Sequence, residues 1–239
     1  MNQPQSATLQ PGSFAELLLN ESTEAPVTLP SYIAVEGPIG VGKTSLAKRL
    51  AGQFDYDTLL EQPELNPFLE RFYQDPQAAA LPTQLHFLFQ RAKQLEELRQ
   101  GDMFQHMWVA DFVIEKDPLF AQVTLDDDEL RIYQQVYKQL TIDAPKPDLV
   151  VYLQAPTEVL LDRIENRGIE SEQQIDPDYL ARLNDAYTQF FYYYDQSPLL
   201  IVNAADINPV DNQGDFDNLV SHLSRIKSGR HYFNPQASL

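Results

Sequence analysis

The chain has 239 residues, no cysteine and a formal net charge of −18, a length that fits one α/β domain of roughly 200 residues with ragged ends. Disulfides and thiolate metal sites are ruled out, and so acidic a surface repels polyanions, which argues against duplex nucleic acid as a partner. No apolar run approaches the ~20 residues of a membrane span.

Residues 1–30 hold no Lys or Arg and are rich in Gln, Ser, Thr and Pro. They read as a disordered extension rather than a signal or transit peptide, with Phe14–Leu19 as a short docked helix. After them, strand-like apolar runs alternate with helical patterns. Tyr32–Gly37 is a buried strand and Lys43–Phe54 the helix that follows. Tyr56–Gln62 is a second strand, punctuated by Pro63, and Asn66–Gln74 a short helix. Leu81–Gln100 is long and amphipathic, with Leu85, Leu88, Ala92, Leu95 and Leu98 at helical spacing. Met107–Val113 is a third strand. Asp126–Leu140 opens with acids that suit a helix N-terminus. Lys146–Ala155 is a strand, Pro156–Gly168 a helix that starts on Pro and ends on Gly, Asp176–Tyr194 a helix and Pro198–Ala204 the last strand. The domain therefore spans residues 31–228, and 229–239 read as a loose C-terminal tail. Strands separated by helices of this length predict a three-layer α/β/α fold with a parallel sheet of five strands. Ligands in such sheets sit beyond the carboxyl ends of the strands.

Between the first strand and the first helix lies "GPIGVGKT", which fits G-x-x-x-x-G-K-[ST] from Gly37 to Thr44. Gly37, Gly40 and Gly42 let the backbone curl so that successive N–H groups, through Val41 to Ser45, face one anion. The helix N-terminus adds partial positive charge. Lys43 is placed to bridge the outer phosphates of a nucleoside triphosphate, and the Thr44 hydroxyl to coordinate Mg²⁺. This is the cradle of a P-loop NTPase-type fold, and it leaves the phosphoryl acceptor open. Glu61 closes the second strand and Asp111 the third. Next to such a cradle, Glu61 suits the base for an acceptor hydroxyl and Asp111 a second oxygen ligand for Mg²⁺.

The order of segments from Ser31 to Asp206 resembles the deoxynucleoside kinase family, in particular its bacterial deoxyadenosine/deoxyguanosine kinase-like branch. "EQPELNPFLERFYQDP" is similar to the family segment that begins with the catalytic carboxylate. That resemblance gives Glu61 the proton of the sugar 5′-hydroxyl and Tyr73 the 3′-hydroxyl. "TQLHFLFQR" is similar to the family helix that reads the base, which implies that Gln84 pairs with the base edge and that Arg91, on the same face, lies near the nucleoside. In "DFVIEKDPLFA" the family's acid–arginine–serine run survives only as Asp111, with Phe112 where the arginine stands. Asp117 matches a second acid that helps to read the base, and Lys116 restores the missing charge only if a helical register brings it round. "DRIENRGIESEQQI" resembles the helical lid. Arg163 and Arg167 match its arginines on the transferred phosphoryl group, Ile169 stands where a third is usual, and Glu172 matches the acid on the 3′-hydroxyl.

The resemblance implies an enzyme that moves the γ-phosphoryl of ATP, with Mg²⁺, to the 5′-hydroxyl of a deoxynucleoside. It further implies purine preference, nucleotide salvage, a cytoplasmic location and a homodimer built through the long amphipathic helix and Asp126–Leu140. Two other readings stay open. One is a nucleoside monophosphate kinase of thymidylate kinase type, whose acceptor phosphate wants extra arginines. The other is a nucleotide-binding module weakened by the losses at Phe112 and Ile169. The acidic run Asp126–Glu129 is an exposed helix start, Tyr187, Phe191 and Tyr194 form one apolar helix face, and the four histidines show no ligand spacing.

Overall fold

The computed structural model describes residues 29–100, 107–141 and 143–234. The extension and the expected helix at Phe14–Leu19 lie outside them, save for Leu29 and Pro30. One parallel sheet runs through the chain in the order β2-β3-β1-β4-β5-β6. Its strands are β1 (Tyr32–Glu36), β2 (Asp57–Leu59), β3 (Trp108–Ala110), β4 (Leu149–Gln154), β5 (Leu199–Asn203) and β6 (Arg230–Phe233). β1 lies between β3 and β4, with Ala34 opposite Ala110 on one side and Val150 on the other. All five of its residues are buried, as expected of a central parallel strand covered on both faces.

Among the described residues the sheet has six strands, where the sequence pattern indicated five. The sixth pairs with β5, Leu199 opposite Arg230 and Val202 opposite Phe233, so residues 230–233 belong to the sheet and not to a loose tail. The Arg230 guanidinium fixes its start by donating to the carbonyls of Phe191 and Tyr194 at 3.2 and 3.1 Å.

The helices are α1 (Lys43–Phe54), α2 (Leu69–Gln74), α3 (Pro76–Gln100), α4 (Asp117–Thr124), α5 (Asp127–Leu140), α6 (Thr157–Arg167), α7 (Pro177–Tyr193) and α8 (Gln213–Leu223). α1 buries Leu46, Ala47, Leu50 and Ala51. Arg49 on its outer side stacks over Phe216 of α8 and donates to the carbonyls of Pro209 and Val210, tying down the loop after β5. α5 begins on a capping box, Asp126 accepting from the Glu129 N–H while Glu129 reaches back. α6 ends on Gly168 in the left-handed conformation, φ 67°. Tyr187 and Phe191 of α7 are fully buried and stack on Tyr152 of β4. α4 and α8 were not apparent in the sequence. α8 carries the usual signals, an Asn212 cap on the Asp215 N–H and buried Phe216, Leu219, Val220 and Leu223 at helical spacing.

α3 decides the character of the site. Its buried stripe runs Gln84, Leu88, Arg91, Leu95, Leu98, one face of a helix. Two polar side chains therefore occupy core positions, a costly arrangement unless each finds partners inside.

Candidate active site

The loop Gly37–Gly42 turns β1 into α1 at the carboxyl edge of the sheet. Gly37, Gly40 and Gly42 have φ of 150°, 85° and 102°. A Cβ at Gly37 would lie 2.5 Å from the Leu153 carbonyl oxygen, and one at Gly40 2.9 Å from that of Leu160. Neither backbone can yield, so this curl requires glycine at both positions. Lys43 folds back over the loop and donates to the Pro38 carbonyl at 3.4 Å. Burial and the nearby Lys116 lower its pKa, against the pull of Glu36, Glu61 and Asp111.

Asp111 joins the cradle to the opposite wall. Its Oδ2 accepts from the Thr44 hydroxyl at 2.5 Å and its Oδ1 from the Glu61 N–H at 2.8 Å. Burial and the charge of Glu61 raise its pKa. Asp111 directly follows β3, as the sequence suggested. Glu61 does not close a strand: β2 stops at Leu59, and β3 stands between β2 and β1. The Asp111 bond, rather than a strand register, holds Glu61 at the pocket.

The Glu61 carboxylate sits among cations. Arg91 reaches its Oε1 through Nε at 2.7 Å and Nη2 at 2.6 Å, and Lys116 Nζ lies 3.1 Å from the same oxygen. Among the described residues Oε2 takes no hydrogen bond, so it is the oxygen available to a ligand. Burial alone would raise the Glu61 pKa, but Arg91, Lys116 and Lys43 outweigh it and hold the group at about 2. Arg91 also pairs with Asp117, whose other oxygen accepts from the buried Tyr133 hydroxyl. Burial works against the Arg91 charge, and its two carboxylates more than restore it.

One cavity brings together Lys43, Thr44, Glu61, Tyr73, Gln84, Arg91, Asp111, Arg167 and Glu172. Asp117 lies fully buried behind Arg91. Arg167 pairs with Glu172 where the segment Glu170–Gln174 folds back after α6, beside Tyr73, whose phenol pKa is raised by burial and by Glu172. Arg163 lies apart, in a second hollow with Gly40, Val41, Gly42, Ser45 and Arg167, walled by Ala204 and by residues from Ile207 to Asp211. It donates to the carbonyls of Val41 at 3.3 Å and Ala204 at 2.6 Å, bracing the phosphate loop against the end of β5.

Two site residues escaped the sequence reading. Glu36, fully buried at the end of β1, accepts from the N–H groups of Gly37 and Val113, each at 2.9 Å, and from the Tyr187 hydroxyl at 3.1 Å. An acid ending an otherwise apolar strand was its signal. Tyr133 is the other, and nothing in its helical pattern separates it from an ordinary core residue.

A sequence profile of the family described as deoxynucleoside kinase matches residues 33–227. The chain belongs to the deoxynucleoside kinase family. This kinase is 35% identical over 204 residues to the deoxyguanosine kinase of Bacillus subtilis (strain 168), covering 82% of the chain and 97% of that protein. With the deoxyadenosine/deoxycytidine kinase of the same organism it shares 29% over 205 residues, 82% of the chain and 93% of the relative. Its fold superimposes on the deoxyadenosine kinase of M. mycoides with bound dATP, with a TM-score of 0.70 and 25% identity over 80% of the chain and 98% of that structure. No described helix is long and apolar enough to cross a membrane.

Proposed function

We infer that this kinase transfers the γ-phosphoryl group of ATP to the 5′-hydroxyl of a purine deoxynucleoside, giving ADP and the 5′-monophosphate for nucleotide salvage. The observation that carries the reading is Asp111, which joins the Thr44 hydroxyl of the phosphate loop to Glu61. Gly40, Lys43, Thr44 and Glu61 line one cavity, which supports a donor cradle beside an acceptor base.

In the reaction the bond from the acceptor oxygen to phosphorus forms as the bond from phosphorus to the ADP oxygen breaks, and the hydroxyl proton passes to Glu61. Oε2, free of the cations, receives it. A carboxylate held near a pKa of 2 is a weak base. Phosphoryl transfer through a loose transition state asks mainly for an oriented hydroxyl, and the proton moves late. Lys43 and the N–H groups from Gly40 to Ser45 take the phosphates, with Arg163 and Arg167 neutralising charge from α6. Gln84, with Arg91 and Asp117 behind it, reads the base, and Tyr73 and Glu172 hold the sugar 3′-hydroxyl. The purine preference rests on the deoxyguanosine and deoxyadenosine kinases among the relatives.

The oxygen donors of Thr44 and Asp111 suit Mg²⁺, a hard cation that takes few protein ligands and completes its shell with phosphate and water. When bound there, Mg²⁺ neutralises phosphate charge. A homodimer joined through α3 and α5 fits the exposure of Phe89 and Ile132 on those helices, and a cytoplasmic location fits the nucleotide chemistry.

Turnover of each of the four deoxynucleosides with ATP and Mg²⁺ tests the reading. Deoxyguanosine or deoxyadenosine gives the highest kcat/KM, and Glu61→Gln lowers kcat by about 10³-fold while ATP still binds. Failure to consume any of the four overturns it.

A further inference from the structure

Phe112 stands where the family's arginine is usual, and it is fully buried in the core. The positive charge missing there is supplied from the next turn of chain. Lys116, at the end of the turn Ile114–Lys116, is only 1% exposed, and its ammonium lies 2.8 Å from Glu36 and 3.1 Å from Glu61. It also lies over the ring of Phe120. A buried ammonium is tolerated only when paired, and Lys116 is paired twice, to carboxylates with different duties. Glu36 is fixed to the first amide of the phosphate loop through the Gly37 N–H. Glu61 faces the acceptor cavity.

We propose that Lys116 is a positioning residue for phosphoryl transfer, taking the place of the arginine lost at Phe112 and tying Glu61 to the phosphate loop through Glu36. The assignment rests on the kinase reading above. Its physical content is alignment. Glu61 is held from three directions: by Arg91 on the base-reading side, by Asp111 through its own N–H, and by Lys116 on the donor side. Asp111 ties the Glu61 backbone to the loop at Thr44, whereas Lys116 ties the carboxylate itself to the loop, through Glu36 and the Gly37 amide. Without it the carboxylate keeps its partners toward the nucleoside and loses its register against the transferred phosphoryl group, where small displacements are costly. The loss therefore falls on kcat more than on the binding of either substrate.

Lys116→Gln alone would leave the buried Glu36 carboxylate with its hydrogen bonds from Gly37, Val113 and Tyr187 but without its counter-ion, which endangers folding. The test therefore uses Lys116→Gln/Glu36→Gln, in which both charges go and the amide at position 36 still accepts from Gly37, together with the conservative Lys116→Arg. The double variant is expected to lose about 10²-fold in kcat, with KM for ATP and for the deoxynucleoside within about threefold. Lys116→Arg is expected to stay within about tenfold of the parent in kcat. A folded double variant with kcat within threefold of the parent overturns the proposal, as does a loss that appears in KM alone. Should the double variant not fold, Lys116→Arg decides: a folded arginine variant with kcat down by 10²-fold or more overturns the proposal. A parent enzyme inactive on every deoxynucleoside sinks the kinase reading, and the role of Lys116 with it. An active parent beside an unaffected double variant sinks only the role of Lys116.

Discussion

Replacing Arg91 by Met tests whether the polar stripe of α3 stabilises the fold as well as the site. The guanidinium is 4% exposed, and its two carboxylate partners, Glu61 and Asp117, are 16% and 0% exposed. Met fills most of the volume, so the cost is electrostatic. Glu61 keeps Lys116 at 3.1 Å and the attraction of Lys43. Asp117 keeps the Tyr133 hydroxyl, a neutral partner. The penalty therefore concentrates on one fully buried carboxylate, and removing one member of a buried pair costs about 3–5 kcal/mol. For a chain of this length, about 4 kcal/mol corresponds to a fall in Tm of roughly 8–16 °C. Differential scanning calorimetry of Arg91→Met measures it. Arg91→Met/Asp117→Asn removes the stranded charge and is expected to recover about half of the loss. A single variant that loses less than about 3 °C, or a double variant no more stable than the single, refutes the reasoning.

Gly37→Ala forces a Cβ against the Leu153 carbonyl at 2.5 Å, at a φ of 150°. ATP affinity measured by calorimetry is expected to fall by at least 10²-fold, because the loop must open to accept the methyl group. Acid sensitivity follows from Glu61. Its folded pKa of about 2 lies below the ordinary 4.5, so its contribution of about 3 kcal/mol is fully present above pH 4.5 and is lost as pH falls toward 2. The gap between the urea midpoints of the parent and of Glu61→Gln is expected to narrow steadily as pH falls from about 4.5 toward 2, and a gap independent of pH contradicts this.

Local signals carried most of the sequence reading. The glycine spacing from Gly37 to Gly42 encodes a backbone path, and helical spacing alone puts Gln84 and Arg91 on one face. Asp111 ends a strand whose apolar run is plain. The features that were not legible depend on partners far along the chain. Arg163 matches a lid arginine by pattern, but its guanidinium bonds carbonyls 122 and 41 residues away. Lys116 reaches Glu36 and Glu61 only because residues 114–124 coil, first as a tight turn and then as α4, and a run of two acids, a lysine and a proline does not announce that register. β6 is four residues at a sheet edge with alternate side chains exposed, too short and too polar to stand out from a tail.

The charge pairing inside the site bears on which acceptor it can take. On the acceptor side Arg91 is committed to Glu61 and Asp117, and Lys116 to Glu36 and Glu61. Lys43, by contrast, rests on a carbonyl oxygen, so it can turn to the donor's phosphates without leaving a carboxylate stranded. An acceptor that already carries a phosphate would have to take a cation from a buried acid, at a cost of several kcal/mol, or bring its charge to Glu61 without compensation. A sugar hydroxyl asks for neither, since one carboxylate oxygen suffices. The same pairing that makes Arg91→Met destabilising therefore favours a neutral nucleoside over its monophosphate, in a chain whose net charge of −18 already repels anions overall.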